Sequence, residues 1–252
     1  MQRQDKEMKQ IITTLFILVC TLAAKAQVGE HRNLYAVGFH GGCNLSSVTF
    51  QPKVNQKMKS GLEGGLVLRY TCEKYFKSIC SIQAEINYSQ MGWEEDILDM
   101  DNKPVPSTAN PEENEYYRRT LNYVQIPVLA HLRWGKEYNG ASFYFNAGPQ
   151  LGYLISEKTA TNFTPETANY SKRTNKVTAQ DTMKVENAFD YGITAGLGLE
   201  VHLRKIGRFQ LEARYYYGLG NLYGDSKRDY FGVSRSSNIT IRAAYLIDLY
   251  KD

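Results

Sequence analysis

Between residues 189 and 203 the chain alternates without a break: Tyr191, Ile193, Ala195, Leu197, Leu199, Val201 and Leu203 stand against Asp190, Gly192, Thr194, Gly196, Gly198, Glu200 and His202. A period of two is that of a β-strand with unlike faces. A soluble barrel would turn its apolar face inward as a core. Here glycine and charge oppose the apolar face, and the pattern recurs over eight stretches. That fits the inverted arrangement of a transmembrane β-barrel, with lipid outside and a polar lumen. The predicted strands cover 34–43, 61–72, 79–91, 120–134, 142–154, 189–203, 208–219 and 237–248, each near the length a tilted strand needs to cross hydrocarbon.

The connections alternate as well. Those at 44–60, 92–119, 155–188 and 220–236 are long, and those at 73–78, 135–141 and 204–207 are short. Even strand number and this asymmetry predict an all-β, eight-stranded antiparallel up-and-down transmembrane barrel, with short periplasmic turns and long extracellular loops. No other apolar run approaches helix-spanning length, so membrane insertion must use strands closed into a barrel, where every backbone group finds a partner.

Ahead of the barrel, Lys6 and Lys9 precede an apolar run from Ile11 to Ala24 that ends in Ala24-Lys25-Ala26. A run this short with a small-x-small site reads as a cleaved secretory signal peptide over 1–26, leaving 27–252 as one barrel domain. A lipoprotein reading would use Cys20, but the bulky Val19 before it argues against that. The whole chain carries a net charge of +4, and the leader holds four bases against two acids, so about +2 remains. Such a balance implies no nucleic acid partner. The implied location is the bacterial outer membrane, with its lipid and lipopolysaccharide as surroundings.

Strand alternation puts Glu63, Arg69, Glu85, Arg133, Asp190, Glu200, Glu212, Arg214 and Arg242 on the inner face. Nearly balanced charge predicts paired ions filling a closed interior, because a selective pore usually presents one excess sign along its wall. Eight strands leave an interior just wide enough for side chains to fill it. A porin-like channel for small solutes is the alternative. His202 shares the inner face with Glu200, and His40 lies inward on the first strand, yet no serine-centred motif or metal-ligand spacing accompanies either. The expectation is a non-enzymatic protein with no catalytic, cofactor or metal residues, and an outer-membrane hydrolase or acyltransferase is the weaker reading.

Tyr35, Tyr70, Tyr88, Tyr153, Tyr191, Tyr215, Tyr217 and Tyr245 fall outward or near strand ends, where an amphipathic ring suits the headgroup boundary. Tyr116, Tyr117, Tyr223 and Tyr230 lie in outer loops, where the alternative reading is a carbohydrate platform. Partner binding is expected in the long loops 92–119 and 155–188, because a rigid barrel positions loops for recognition. The first is dense in acids whose spacing departs from the calcium-loop template, so it reads as a solvated acidic face. The second, rich in Thr, Asn and Lys, reads as mobile.

Several segments carry a resemblance. Tyr123 to Leu129 (YVQIPVL), Phe145 to Gly152 (FNAGPQLG), Gly196 to Glu200 (GLGLE), and Glu212 to Tyr215 (EARY) with Gly218-Leu219 resemble the PorT-like family of Gram-negative outer-membrane β-barrels over nearly all of the mature chain. These are strand motifs and carry no catalytic residue. The resemblance implies the barrel fold and its location, with a role accessory to secretion of the type IX kind or to envelope assembly. Pro127 lacks an N–H and is expected at a bulge or strand end. Glycines 148, 152, 192, 196 and 198 are expected to make room for larger inward neighbours. Cys72 and Cys80 are equidistant from Phe76, so a hairpin centred there would oppose them closely enough for a disulfide. Two free thiols are the other reading, with Cys43 unpaired in both.

Overall fold

The computed structural model describes residues 29–249 apart from 109, 204, 205, 225 and 227, so the expected leader lies outside the described residues. The strands are β1 (Glu30–Gln51), β2 (Gln56–Lys57), β3 (Lys59–Tyr75), β4 (Ser78–Glu95), β5 (Tyr117–Gly135), β6 (Gly140–Thr161), β7 (Phe189–Leu203), β8 (Gly207–Gly218) and β9 (Val233–Leu249). Apart from the two-residue β2, each pairs antiparallel with the next in the chain, and β9 returns to pair with β1. Closure leaves no edge within the membrane, which hydrocarbon demands because it cannot solvate a free N–H or C=O.

Period-two patterning becomes sidedness in three dimensions. On β7, Leu197 and Leu199 are 52 % and 56 % exposed to the surroundings, whereas Thr194 and Glu200, on the opposite face of the same strand, are buried. On β8 the outward Phe209, Leu211, Tyr215 and Tyr217 alternate with buried Gln210, Glu212, Arg214 and Tyr216. Inward glycines admit bulk from the neighbouring strands: a Cβ on Gly192 would meet Tyr216 Cε2 of β8 at 2.7 Å, and one on Gly198 would collide with the Tyr144 ring of β6.

Several strands outrun the bilayer. Exposed apolar positions stop near Tyr88 on β4 and begin at Ile126 on β5, yet β4 continues to Glu95 and β5 starts at Tyr117. The barrel therefore stands proud of the membrane on its extracellular side. There the connections fold inward. Phe50, Val54, Trp93, Ile97, Val105, Tyr117, Phe163, Leu222, Tyr223 and Phe231 form one buried cluster, with Val177, Met183 and Val185 packed against it. Loop 155–188, expected to be mobile, is part of this cap. Its Thr174 N–H donates to the Leu98 carbonyl at 2.8 Å, and its Asn169 N–H to Glu115 Oε1 at 2.8 Å. Sparse apolar residues mislead here because Phe163, Val177, Met183 and Val185, spread along the loop, are spent on one cluster.

One local expectation is corrected, and one pair of alternatives is decided. Pro127 sits in mid-strand, and the ladder between β4 and β5 skips from Ala84↔Val128 to Asn87↔Gln125 around it. The missing N–H is accommodated by a gap in the ladder instead of a strand end. In the β3–β4 hairpin the turn is Phe76–Lys77, with Tyr75 opposite Ser78 and Phe76 at a φ of 48°. This register sets Cys80 opposite Glu73, and the bulge between Thr71 and Glu73 takes up Cys72. Cys43, Cys72 and Cys80 are all free thiols.

Candidate functional site: a filled lumen beneath an extracellular cap

Nine charged side chains assigned inward by alternation are all buried, and they fall into tiers along the barrel axis. Toward the periplasm, Glu200 accepts from Arg69 at 2.7 Å, Arg133 at 2.9 Å, Arg208 at 3.2 Å and Gln210 at 2.5 Å. Arg208 also donates to Asp248 through Nε at 2.7 Å. A second tier, nearer mid-barrel, sets Glu85 between two forks: Arg214 reaches its oxygens at 2.9 and 3.0 Å and Arg242 at 2.8 and 2.7 Å. Glu212 completes this tier, taking Arg214 Nε at 2.8 Å and Arg242 Nη2 at 2.9 Å.

Planar guanidinium forks matched to carboxylates give short, directional bonds, and removing either partner would strand a charge away from water. Side chains from opposite walls meet: Arg69 on β3 reaches Glu200 on β7, and Arg242 on β9 reaches Glu85 on β4. Such pairs bridge the lumen from wall to wall. Above them Tyr216 donates to Asp190 at 2.9 Å, and the apolar cap begins.

The two histidines singled out in the sequence both make hydrogen bonds within the barrel. His202 Nδ1 lies 2.7 Å from the Glu137 carbonyl and Nε2 3.0 Å from Asp248, so both ring nitrogens are engaged. His40 Nε2 lies 2.8 Å from Asn87 Oδ1. Sequence reasoning passed over Arg208, Asp248 and His131, the last 2.7 Å from Asn146. Arg208 was legible, since it lies two residues before Gln210 and four before Glu212 on the same face. No group of three His, Cys, Asp or Glu among the described residues has the geometry to hold a metal ion.

The cap carries its own polar centre outside the membrane-spanning segments. Loop 92–119, expected to be a solvated acidic face, keeps Asp101, Glu112 and Glu113 exposed but turns Glu95 and Glu115 inward. Glu115 takes Arg173 at 3.0 Å, Arg173 also reaches Asp181 at 3.4 Å, and Glu95 accepts from Gln180 at 2.8 Å. Burial, with Asp181 alongside, pushes the Glu95 carboxyl up to about 8. Burial likewise moves Asp181 upward. Of the loop tyrosines, Tyr117 and Tyr223 are buried in the cap, while Tyr116 and Tyr230 remain exposed.

Residues 25–224 match the family model described as outer membrane protein beta-barrel domain. The chain belongs to that family. This outer-membrane barrel therefore resides in the bacterial outer membrane, as its lipid-facing wall requires. Among solved structures it is similar to OprG of Pseudomonas aeruginosa at 12% identity, covering 87% of this chain and 98% of that one with a TM-score of 0.41. Neisserial surface protein A matches at 9% identity over 84% of this chain and 96% of that one, with a TM-score of 0.39. Ail, the attachment invasion locus protein of Yersinia pestis, matches at 12% over 86% and 99%, with a TM-score of 0.34. Among curated proteins nothing matches the chain.

Proposed function

We propose that this outer-membrane barrel is a non-enzymatic structural or interaction protein that conducts no solute and presents its folded cap to envelope or surface partners. The observation that supports this most is the ion-pair tier around Glu200, where three guanidiniums from three strands converge on one carboxylate and occupy the cross-section. Conduction would need those charges to part, and each broken buried pair leaves an uncompensated ion. The cap above adds a second closure made of apolar side chains. A role accessory to type IX-like secretion or envelope assembly is the finer reading, in keeping with the PorT-like strand motifs. The partners would meet loops 92–119 and 155–188, and lipopolysaccharide would surround the protruding wall.

Two measurements test this. Purified protein in planar bilayers should give no stepwise conductance, and reproducible single-channel openings would establish the pore reading instead. Cross-linking in intact outer membranes followed by pull-down should recover the same envelope proteins in every preparation. Recovery of lipopolysaccharide alone would remove the accessory role.

A further inference from the structure

One seam of the protruding sheet is open. β1 and β3 cease to pair at Ser46↔Lys59, whereas β1 goes on pairing with β9 as far as Gln51↔Val233. On the far side, β2 pairs with β4 through Gln56↔Glu95 and Lys57↔Glu94. Between β1 and β2 lies a cleft of about 580 Å³, lined by Val48, Phe50, Lys53, Val54, Gln56 and Met58 among others. Both walls are strand edges. The size falls within the range of ligand pockets.

What sits in the cleft indicates what fits it. The carboxamide of Gln56 reaches across to β1, where its Oε1 accepts from the Val48 N–H at 3.0 Å and its Nε2 donates to the Val48 carbonyl. A primary amide reading both backbone groups of one residue does what a neighbouring strand would do. Backbone direction alternates along a strand, so the N–H and C=O of Phe50 point to the same side as those of Val48, and Thr49 points to β9. Outward neighbours here are polar, Ser47, Thr49 and Gln51, so the seam stands above the hydrocarbon. By contrast β6, which also outruns its β7 partner, has Leu154 N–H on the Ala188 carbonyl and Glu157 under the Val185 N–H.

We propose that this cleft receives one extended strand of a partner protein, added to the β1 edge at Val48 and Phe50 with Gln56 as the displaceable stand-in. Main-chain bonds would hold the strand, and side-chain contacts would select it. The cleft is lined by Lys53 and Asp96; Asp96 is already paired with Lys57 at 2.8 Å, so the exposed Lys53 is left to favour a carboxylate on the incoming strand, and Met58, 58 % exposed at the rim, favours an apolar residue beside it. The partner is thus an extended segment pairing an acidic residue with an apolar one. This deepens the interaction reading above by naming where a partner docks.

The test uses the full-length protein in nanodiscs and a six-residue probe peptide of alternating threonine and valine with one glutamate. Amide hydrogen exchange is read at Phe50, with the Thr49 amide as internal control. The peptide should slow exchange at Phe50 at least about tenfold and leave Thr49 unchanged, and the same peptide N-methylated on alternate amides should have no effect. Gln56→Ala should tighten peptide binding about threefold or more by freeing Val48. Unchanged exchange at Phe50, or equal protection by the methylated peptide, overturns the proposal. Protection brought about by lipopolysaccharide vesicles without peptide overturns it too, assigning the cleft to a lipid. Failure here is distinct from failure of the interaction role, because cross-linked partners recovered through the cap would still stand.

Discussion

Glu200 shows how one residue organises the lumen. Its carboxylate draws guanidiniums from β3, β5 and β8, and with no acid in its place those three cations would face one another in a space they cannot leave. Glu200→Gln should therefore destabilise the barrel by about 3–5 kcal/mol, the cost typical of breaking a buried pair. Urea unfolding in detergent measures this. Adding Arg133→Gln to the variant should recover part of the loss, and no recovery would mean that the tier acts through packing alone. Glu95 makes a different point, because its carboxyl favours the proton once the cap has folded. Its folded value lies near 8 against an ordinary 4.5, so the folded cap binds a proton that the unfolded chain gives up. Its contribution is complete below about pH 4.5 and fades as pH rises through 8, at up to about 1.4 kcal/mol per pH unit. The groups facing it are Asp181 and Gln180 from the β6–β7 loop, with Arg173, Tyr170 and Glu115 behind them. Trp93, fully buried in the cap, reports on its packing. With Trp134→Phe as background, Trp93 emission should shift to the red under mild urea more readily at pH 8 than at pH 5, and Glu95→Gln should flatten that difference.

At the scale of the strand, sidedness decides what a substitution meets. Leu197→Arg places a cation on the lipid face of β7 and should cost about 2–4 kcal/mol if the position lies near the bilayer midplane. Thr194→Arg, on the inner face of the same strand, has polar neighbours but little room, so packing sets its cost. Heat-modifiable gel mobility compares the two, and a Leu197→Arg protein as stable as wild type would invert the assignment of faces. The β3–β4 hairpin gives the other element-scale prediction. Because the bulge takes up Cys72 and Cys80 faces Glu73, a non-reduced digest should yield Cys72 and Cys80 as separately alkylated peptides. A linked pair would mean the register differs by one residue.

Viewed whole, the molecule is closed by two unlike devices. The lumen is filled by ions within an eight-stranded wall, and the extracellular mouth is covered by aromatic and aliphatic side chains drawn from four connections. The absence of conductance expected above belongs to this scale, since opening the path requires both to yield. The loops that cover the mouth are also the surface the protein turns outward. Trp93, Tyr117 and Tyr223 serve the cap's interior and are withdrawn from any role in contact with partners.

Closure, strand count, sidedness and the inward charges followed from the sequence, because a period of two leaves each residue one of two faces and a membrane punishes the wrong one. Arg208 obeyed the same rule and was legible in principle. Register was not legible: a two-residue turn and a bulge shifted Cys72 away from Cys80, and such shifts depend on local backbone geometry rather than on the apolar pattern. The cap was hidden for a related reason. Phe50, Trp93, Phe163 and Phe231 lie far apart along the chain and follow no period, so only the folded barrel, by bringing four connections to one mouth, made them a core. The open seam beside β1 arises the same way, from where β3 stops pairing and β2 turns to β4, which no single strand's sequence encodes.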